Sequence, residues 1–291
     1  MKERKLFSWS NSYTSLRDAQ IVVFGVPLGR NSVKMVDLLR ETSWFIESFD
    51  LDSKKNFLDK VKIFDAGNIA LSTLEDISLQ TKKIVSMNKV PLILGKSHLL
   101  TLYALKAFSD VKIVSFDAHA DIKEYYTDER VALSIEPLKL KESEKFNCAT
   151  WLRRFCELGN NEKACLVGLR SCDDDDYSYL IDNDILYFTR EDVRRNIADV
   201  KEKLASFCRG SNVYVSLDMD FFDPSIAPSV EHPEHDGLLF HEFRALINEV
   251  HNGKIVGFDL TEIQFFPEKS CEITASLAAK TLLEILSIIK C

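Results

Sequence analysis

Three short stretches of this chain bring together residue types that hold divalent cations. Asp117, His119 and Asp121 alternate along Asp-Ala-His-Ala-Asp, and Asp218 and Asp220 alternate along Asp-Met-Asp. His98 closes the run Gly95-Lys96-Ser97-His98. Carboxylates are hard oxygen donors and imidazole is a borderline nitrogen donor, so the mixture suits manganese or zinc. In an extended chain, a period of two turns alternating side chains to one side. Four aspartates and two histidines exceed what one ion needs. Two divalent cations about 3.5–4 Å apart, bridged by carboxylates and sharing a hydroxide of lowered pKa, would use the whole set. Any one of these aspartates is equally at home as a helix cap or turn residue. Six such residues at the ends of three strands favour the metal pair.

Those residues need strands to carry them. Apolar, β-branched runs at 21–27, 61–67, 90–95, 111–116, 164–170, 185–188, 213–218 and 255–262 read as about eight strands. Helical spacing is expected over 32–49, 74–88, 99–108, 149–157, 191–208, 240–250 and 273–289. The stretch between Asp121 and Lys145 is weaker and more polar. Strand–helix alternation predicts a parallel sheet with helices on both faces. No linker or repeat marks a boundary, so one domain over residues 1–291 is expected. In such sheets ligands bind beyond the carboxyl ends of the strands. His98, the Asp117 and Asp218 stretches, and Glu262 all fall there.

Composition narrows the class. With 291 residues and 46% hydrophobic content, a sizeable core is available. A net charge of −8 argues against nucleic acid as a partner and is compatible with a small cationic substrate. The seven cysteines are odd in number and scattered, with no CxxC pair, as in a reduced compartment. Residues 1–10 lack the apolar core of a signal peptide, and no run reaches transmembrane length, so a cytoplasmic protein without membrane contact is expected.

The motifs also resemble a known family. Asp117-Ala-His-Ala-Asp121 and Ser216-Leu-Asp-Met-Asp-Phe-Phe-Asp-Pro-Ser-Ile-Ala-Pro228 are similar to the two aspartate signatures of the ureohydrolases, the arginases and agmatinases. Gly95-Lys-Ser-His98 resembles that family's Gly-Gly-Asp/Glu-His segment, and Gly25-Val-Pro27 and Gly168-Leu-Arg170 resemble its strand ends. The likeness runs from about residue 21 to residue 289. It implies a three-layer α/β/α fold with a parallel eight-stranded sheet, and a homo-oligomer, trimer or hexamer. It implies a centre of two Mn2+ ions held by His98, Asp117, His119, Asp121, Asp218 and Asp220. The implied reaction is hydrolysis of a guanidinium group to urea and an amine. A bridging hydroxide attacks the guanidinium carbon, Asp121 helps to hold it, and a proton then reaches the leaving amine. Glu262 would pair with the planar guanidinium, a geometric match for a carboxylate. Agmatine fits better than arginine, because the segment after Asp121 lacks the Asn-rich loop that arginases use near the α-carboxylate.

The chain also departs from that pattern. Where relatives carry a His-Gly-Thr segment, it has Asn147-Cys148-Ala149-Thr150, and no histidine lies between His119 and His232. Cys148 could titrate if positive charge lowered its pKa; otherwise it is a small buried thiol. Ser229-Val-Glu-His-Pro-Glu-His-Asp236 replaces a Gly-Thr-Gly-Thr-Pro run. It brings Glu231, His232 and His235 toward the expected mouth, where His232 or His235 would supply a substrate contact or the missing proton unless the loop is merely solvated. Lys96 and Ser97 stand where glycine and an acidic residue are usual, which would weaken ligand orientation. The run Asp173 to Asp176 is either a solvated charge run or, through Asp173, a contact for a substrate's tail amine. Two other readings stay open: hydrolysis of another C–N bond, in a formimino or acetylated amine, and a catalytically weak metal-binding regulatory subunit.

Overall fold

The computed structural model describes residues 7–9, 14–52, 54–59, 61–138, 142–264 and 270–289. Most of the N-terminal stretch read for a signal peptide, and Cys291, lie outside the described residues. Eight parallel strands form one sheet: β1 Ile21–Val26, β2 Ile63–Asn68, β3 Val90–Gly95, β4 Lys112–Phe116, β5 Ala164–Leu169, β6 Leu186–Thr189, β7 Asn212–Asp218 and β8 Lys254–Thr261. Their order is β2-β1-β3-β8-β7-β4-β5-β6. Between them run α1 Ser32–Thr42, α2 Glu75–Ser86, α3 Leu99–Leu105, α4 Glu129–Ser134, α5 Trp151–Phe155, α6 Asp174–Asp182, α7 Arg190–Cys208, α8 Phe240–Val250 and α9 Ser270–Ile288.

The strands are apolar on both sides because both sides are covered. Ile21 and Val23 of β1 join one core with Met35, Val36 and Leu39 of α1 and with α7, α8 and α9. Val22, Phe24 and Val26 join the other, with Ile77 of α2, Leu102 of α3 and Trp151 of α5. The result is the expected three-layer α/β/α arrangement. β8 lies between β3 and β7, and β7 also pairs with β4. This order places the ends of β3, β8, β7 and β4 side by side, so residues distant in sequence share one edge.

Two expectations about elements need correction. The helix expected over 32–49 ends at Thr42, continues as a 3-10 turn over Ser43–Phe45, and Phe49 pairs with Asn56 in a two-strand ribbon. At that end Ser43 Oγ donates back to the Arg40 carbonyl at 2.6 Å and accepts the Ser8 N–H at 3.0 Å, local bonds that compete with helix continuation. The four aspartates open α6, a helix not expected there; Asp173, Asp174 and Asp175 are exposed, as in a solvated run, and Asp176 is buried. Asp173 is its N-cap and completes a capping box with Asp176. Carboxylates are favourable at a helix N-terminus, where unpaired N–H groups and the dipole are positive.

Candidate functional site

The six ligand candidates converge at the carboxyl edge of the sheet. His98 Nδ1 lies 3.2 Å from Asp117 Oδ2, 3.1 Å from Asp121 Oδ2 and 3.3 Å from Asp218 Oδ2. His119 Nδ1 lies 3.0 Å from Asp220 Oδ2 and 3.8 Å from Asp117 Oδ1. Ligand atoms of His98, Asp117 and Asp218 fall within 4.8 Å of one another, and so do those of Asp117, His119 and Asp220. Asp117 belongs to both groups, as a carboxylate bridging two neighbouring cations would. His98 Nδ1 and Asp117 Oδ2 are buried without a well-formed hydrogen bond among the described residues. Atoms that crowd a common point without bonding one another are arranged as ligands are.

The alternation expected along the Asp117 stretch holds only in part. β4 ends at Phe116, and His119 still makes a single parallel bridge to Ser171. At Asp121 the backbone turns left-handed, with φ 53°. The Trp151 indole donates to Asp121 Oδ2 at 2.8 Å, and the Leu152 N–H donates to the Asp121 carbonyl at 3.1 Å, so α5 fixes the turn. Asp218 and Asp220 are likewise related by a turn rather than a pleat. β7 stops at Asp218, a 3-10 turn spans Met219–Phe221, and the Asp220 N–H donates to Asp218 Oδ1 at 2.8 Å. Beneath that turn the Phe221 ring packs edge-on to Phe116 and Phe243. Gly168 (φ 100°) leaves room for it, since a Cβ there would stand 2.6 Å from the ring.

A buried chain of hydrogen bonds orients His98. Ser216 Oγ donates to Asp259 Oδ1 at 2.7 Å and lies 2.8 Å from His98 Nε2. Thr101 and Tyr214 each donate to Asp259 Oδ2 at 2.8 Å. With the Ser216 proton committed to Asp259, His98 Nε2 is the donor to Ser216, and the lone pair of Nδ1 faces the three carboxylates. That is the metal-ligating tautomer, and it is repulsive unless positive charge lies between. Sequence reading passed over Asp259. The available signal was an aspartate inside an otherwise apolar strand.

The electrostatics point the same way. Burial pushes the Asp117 carboxyl well above its ordinary range, and Asp218, Asp121 and Asp220 add to it. Burial and the Asp220 charge raise Asp218 to about 7. Burial opposes protonation of His119, but Asp220 and then Asp117 outweigh it and lift the imidazole to about 11. Protons are thus drawn in to offset crowded negative charge, the task that divalent cations perform in such donor sets. The residues present fit a pair of such ions.

Glu262 stands beside this group at the end of β8, left-handed at φ 59°. Its N–H donates to the Lys96 carbonyl at 2.8 Å, and its Oε1 accepts the His98 N–H at 2.8 Å. Its Oε2 is buried without a hydrogen-bond partner among the described residues, and the side chain lines a cavity of about 340 Å³. The same cavity is lined by His119, Asp121, Asp218 and Asp220, and by Lys123, Tyr126, Cys148, Asp173, Asp176 and His232. Its size matches a small organic molecule.

The departures find particular places. Lys96 is buried and forms an ion pair of 2.6 Å with Glu231, so two unusual residues 135 positions apart in sequence compensate each other. The His232 ring lies edge-on to His119, with centroids 6.2 Å apart, whereas His235 is exposed and does not line the cavity. Glu234 Oε1 lies 3.5 Å from His119 Nε2 and accepts the Ser171 hydroxyl at 3.0 Å. Cys148 is no low-pKa thiol. Burial pushes it well above its ordinary value, and the neighbouring Glu262 and Asp121 charges add to the shift. Asp173 is engaged by its cap and by an ion pair with Lys123. The six described cysteines are free thiols, and among the described residues no helix is long and apolar enough to cross a membrane.

Comparison with known proteins adds an independent line. The family model described as the arginase family matches residues 19–287. The agmatinase of Halalkalibacterium halodurans is 29% identical over 299 residues, covering 96% of each chain. The N(1)-aminopropylagmatine ureohydrolase of Thermococcus kodakarensis is 30% identical over 280 residues, covering 91% of this chain and 88% of its own. The crystal structure of the agmatine ureohydrolase of Thermoplasma volcanium superposes with a TM-score of 0.82 at 26% identity, covering 98% of this chain and 94% of that one.

Proposed function

This chain belongs to the arginase family of hydrolases, and we propose that it hydrolyses a guanidinium C–N bond in a small cationic compound, releasing urea and an amine. The observation that carries this reading is the double ligand group sharing Asp117, set beside the free, buried Oε2 of Glu262 in one cavity. Agmatine is the first substrate to try, because relatives similar along nearly the whole chain carry agmatinase names.

His98, Asp117, Asp121 and Asp218 would hold one Mn2+ ion, and Asp117, His119, Asp218 and Asp220 the other. Two such ions supply Lewis acidity and lower the pKa of water, so that a nucleophile exists near neutral pH. The protein's own residues do the rest. Glu262 accepts N–H groups of the planar guanidinium, and its charge offsets the cation's. Its left-handed backbone and the His98 N–H fix that carboxylate before substrate arrives, so little ordering is left to do on binding. Asp121, anchored by the Trp151 indole, would hold the attacking water. His232 on the cavity wall meets the leaving amine. Asp173 lines the same cavity, where a substrate's tail amine would meet it.

The changed segments at Cys148 and residues 229–236 favour a second reading, a formimino or acetylated amine substrate or a slow metal-binding regulatory subunit. A homo-oligomer, trimer or hexamer, is expected from the family likeness, and sedimentation would count the subunits.

The test is urea release from agmatine, arginine and 4-guanidinobutyrate by manganese-loaded protein, with metal counted per chain. Urea at two metals per chain, lost together with metal in Asp117→Asn, supports the proposal. Two bound metals and no urea from any of the three would transfer support to the second reading.

A further inference from the structure

Away from the ligand group, the cavity holds one lysine and no arginine among its lining residues. That lysine, Lys123, has an ammonium pinned between two carboxylates: it pairs with Asp173 and lies 2.9 Å from Asp176 Oδ2. Its backbone N–H donates to the Ala149 carbonyl at 3.1 Å, and its ammonium lies 5.8 Å from the centre of the Tyr126 ring. The side chain is one-quarter exposed, and Asp176 is nearly buried. Two carboxylates converging at a cavity wall form a receptor for an ammonium group. Here the chain supplies that ammonium itself.

We propose that Lys123 is a specificity-determining residue: it fills the ammonium position between Asp173 and Asp176, so the cavity takes a guanidinium compound with an uncharged tail about as readily as one ending in ammonium. The inference rests on the guanidinium reading for the head group and adds the class of tail. The charge count explains it. Asp173, Asp176 and Lys123 together carry −1; without the lysine the same wall would carry −2. A terminal ammonium entering beside Lys123 meets a like charge at a few ångströms, which largely cancels one carboxylate's attraction. An uncharged tail loses nothing by it. Four aspartates at the start of α6 would by themselves attract a cationic tail, and Lys123 removes much of that attraction.

The experiment compares agmatine with pentylguanidine, which has a methyl group in place of the terminal ammonium. Both are measured on the manganese-loaded full chain, by urea release and by calorimetric Kd. In the wild type the two should differ by no more than about threefold in KM and in Kd. In Lys123→Met the ratio should move about tenfold toward agmatine, while Lys123→Arg, which keeps the charge, should hold the wild-type ratio. A purely structural lysine that only secures α6 would lower Tm in Lys123→Met and leave the ratio still. An unchanged ratio in Lys123→Met, or a wild type that prefers agmatine a hundredfold, overturns the proposal. If neither compound yields urea, the reaction reading fails, and the Kd ratio still decides the role of Lys123. If the wild type binds neither, both fall.

Discussion

Replacing Lys96 by methionine tests how the unusual loop over the site is held. Lys96 is 1% exposed, the Glu231 side chain 6%, and their charged atoms are 2.6 Å apart. Methionine reproduces most of the lysine stem, so packing changes little. What changes is charge, because the Glu231 carboxylate is left buried and uncompensated. Breaking such a pair from one side costs about 3–5 kcal/mol, whereas replacing both partners with apolar residues is often neutral, because the desolvation of both ions is then avoided. At about 2.1 cal/mol/K per residue, a chain of 291 residues has a melting entropy of roughly 0.6 kcal/mol/K. The expected fall in Tm for Lys96→Met is therefore about 5–8 °C. Lys96→Met combined with Glu231→Leu should recover most of it. Differential scanning calorimetry on manganese-loaded and on chelator-treated protein gives both values. A single variant melting within about 2 °C of wild type, or a double variant no better than the single, would refute the claim that this pair anchors residues 229–236.

Two further outcomes bear on the site directly. Glu262→Gln keeps an acceptor for the His98 N–H but removes the charge. With about 1.5–3 kcal/mol at stake in a charge-assisted contact, KM for a guanidinium substrate should rise roughly 10- to 150-fold while both metals stay bound. Ser216→Ala cuts the link between Asp259 and His98 Nε2, and metal affinity, read by competition with a chelator, should fall about 10- to 100-fold. An unchanged affinity would mean that packing against the Trp151 ring, whose centroid lies 4.7 Å from that of His98, holds the imidazole without the Ser216 bond.

Much of the architecture was legible because it is written locally. β-branched runs with a carboxylate or histidine at their ends announce buried strands opening onto a site, and His98, Asp117 and Asp218 met that description. His119, Asp121 and Asp220, from their alternate spacing, and Glu262, from its place after the last strand, were expected at the same edge, where they are found; the resemblance supplied their separate roles. Period-two reasoning reached the right side chains by the wrong geometry at Asp121 and Asp220, since both are delivered by turns that α5 and the phenylalanine cluster stabilise. The role of Asp173 to Asp176 as a helix start was missed because little apolar periodicity follows it: Leu180 is buried, but Tyr177 and Ile181 are exposed. The Lys96–Glu231 pair could not be read at all, because a contact between residues 135 apart depends on strand order. Length was overestimated for α1 because side-chain bonds at Ser43, rather than propensity, end it.

Asp121 and Glu262 share one backbone feature: each is a non-glycine residue in the left-handed region. Such a conformation costs of order 1–3 kcal/mol, least for aspartate or asparagine and more for glutamate. A laboratory evolution campaign that selected only for heat tolerance would therefore enrich glycine or asparagine at positions 121 and 262, and would discard the catalyst while improving the scaffold. Deep mutational scanning under the two pressures separately should give opposite rankings at these positions and similar rankings across the core strands. Divergence of that kind can identify working residues in a chain before its substrate is known.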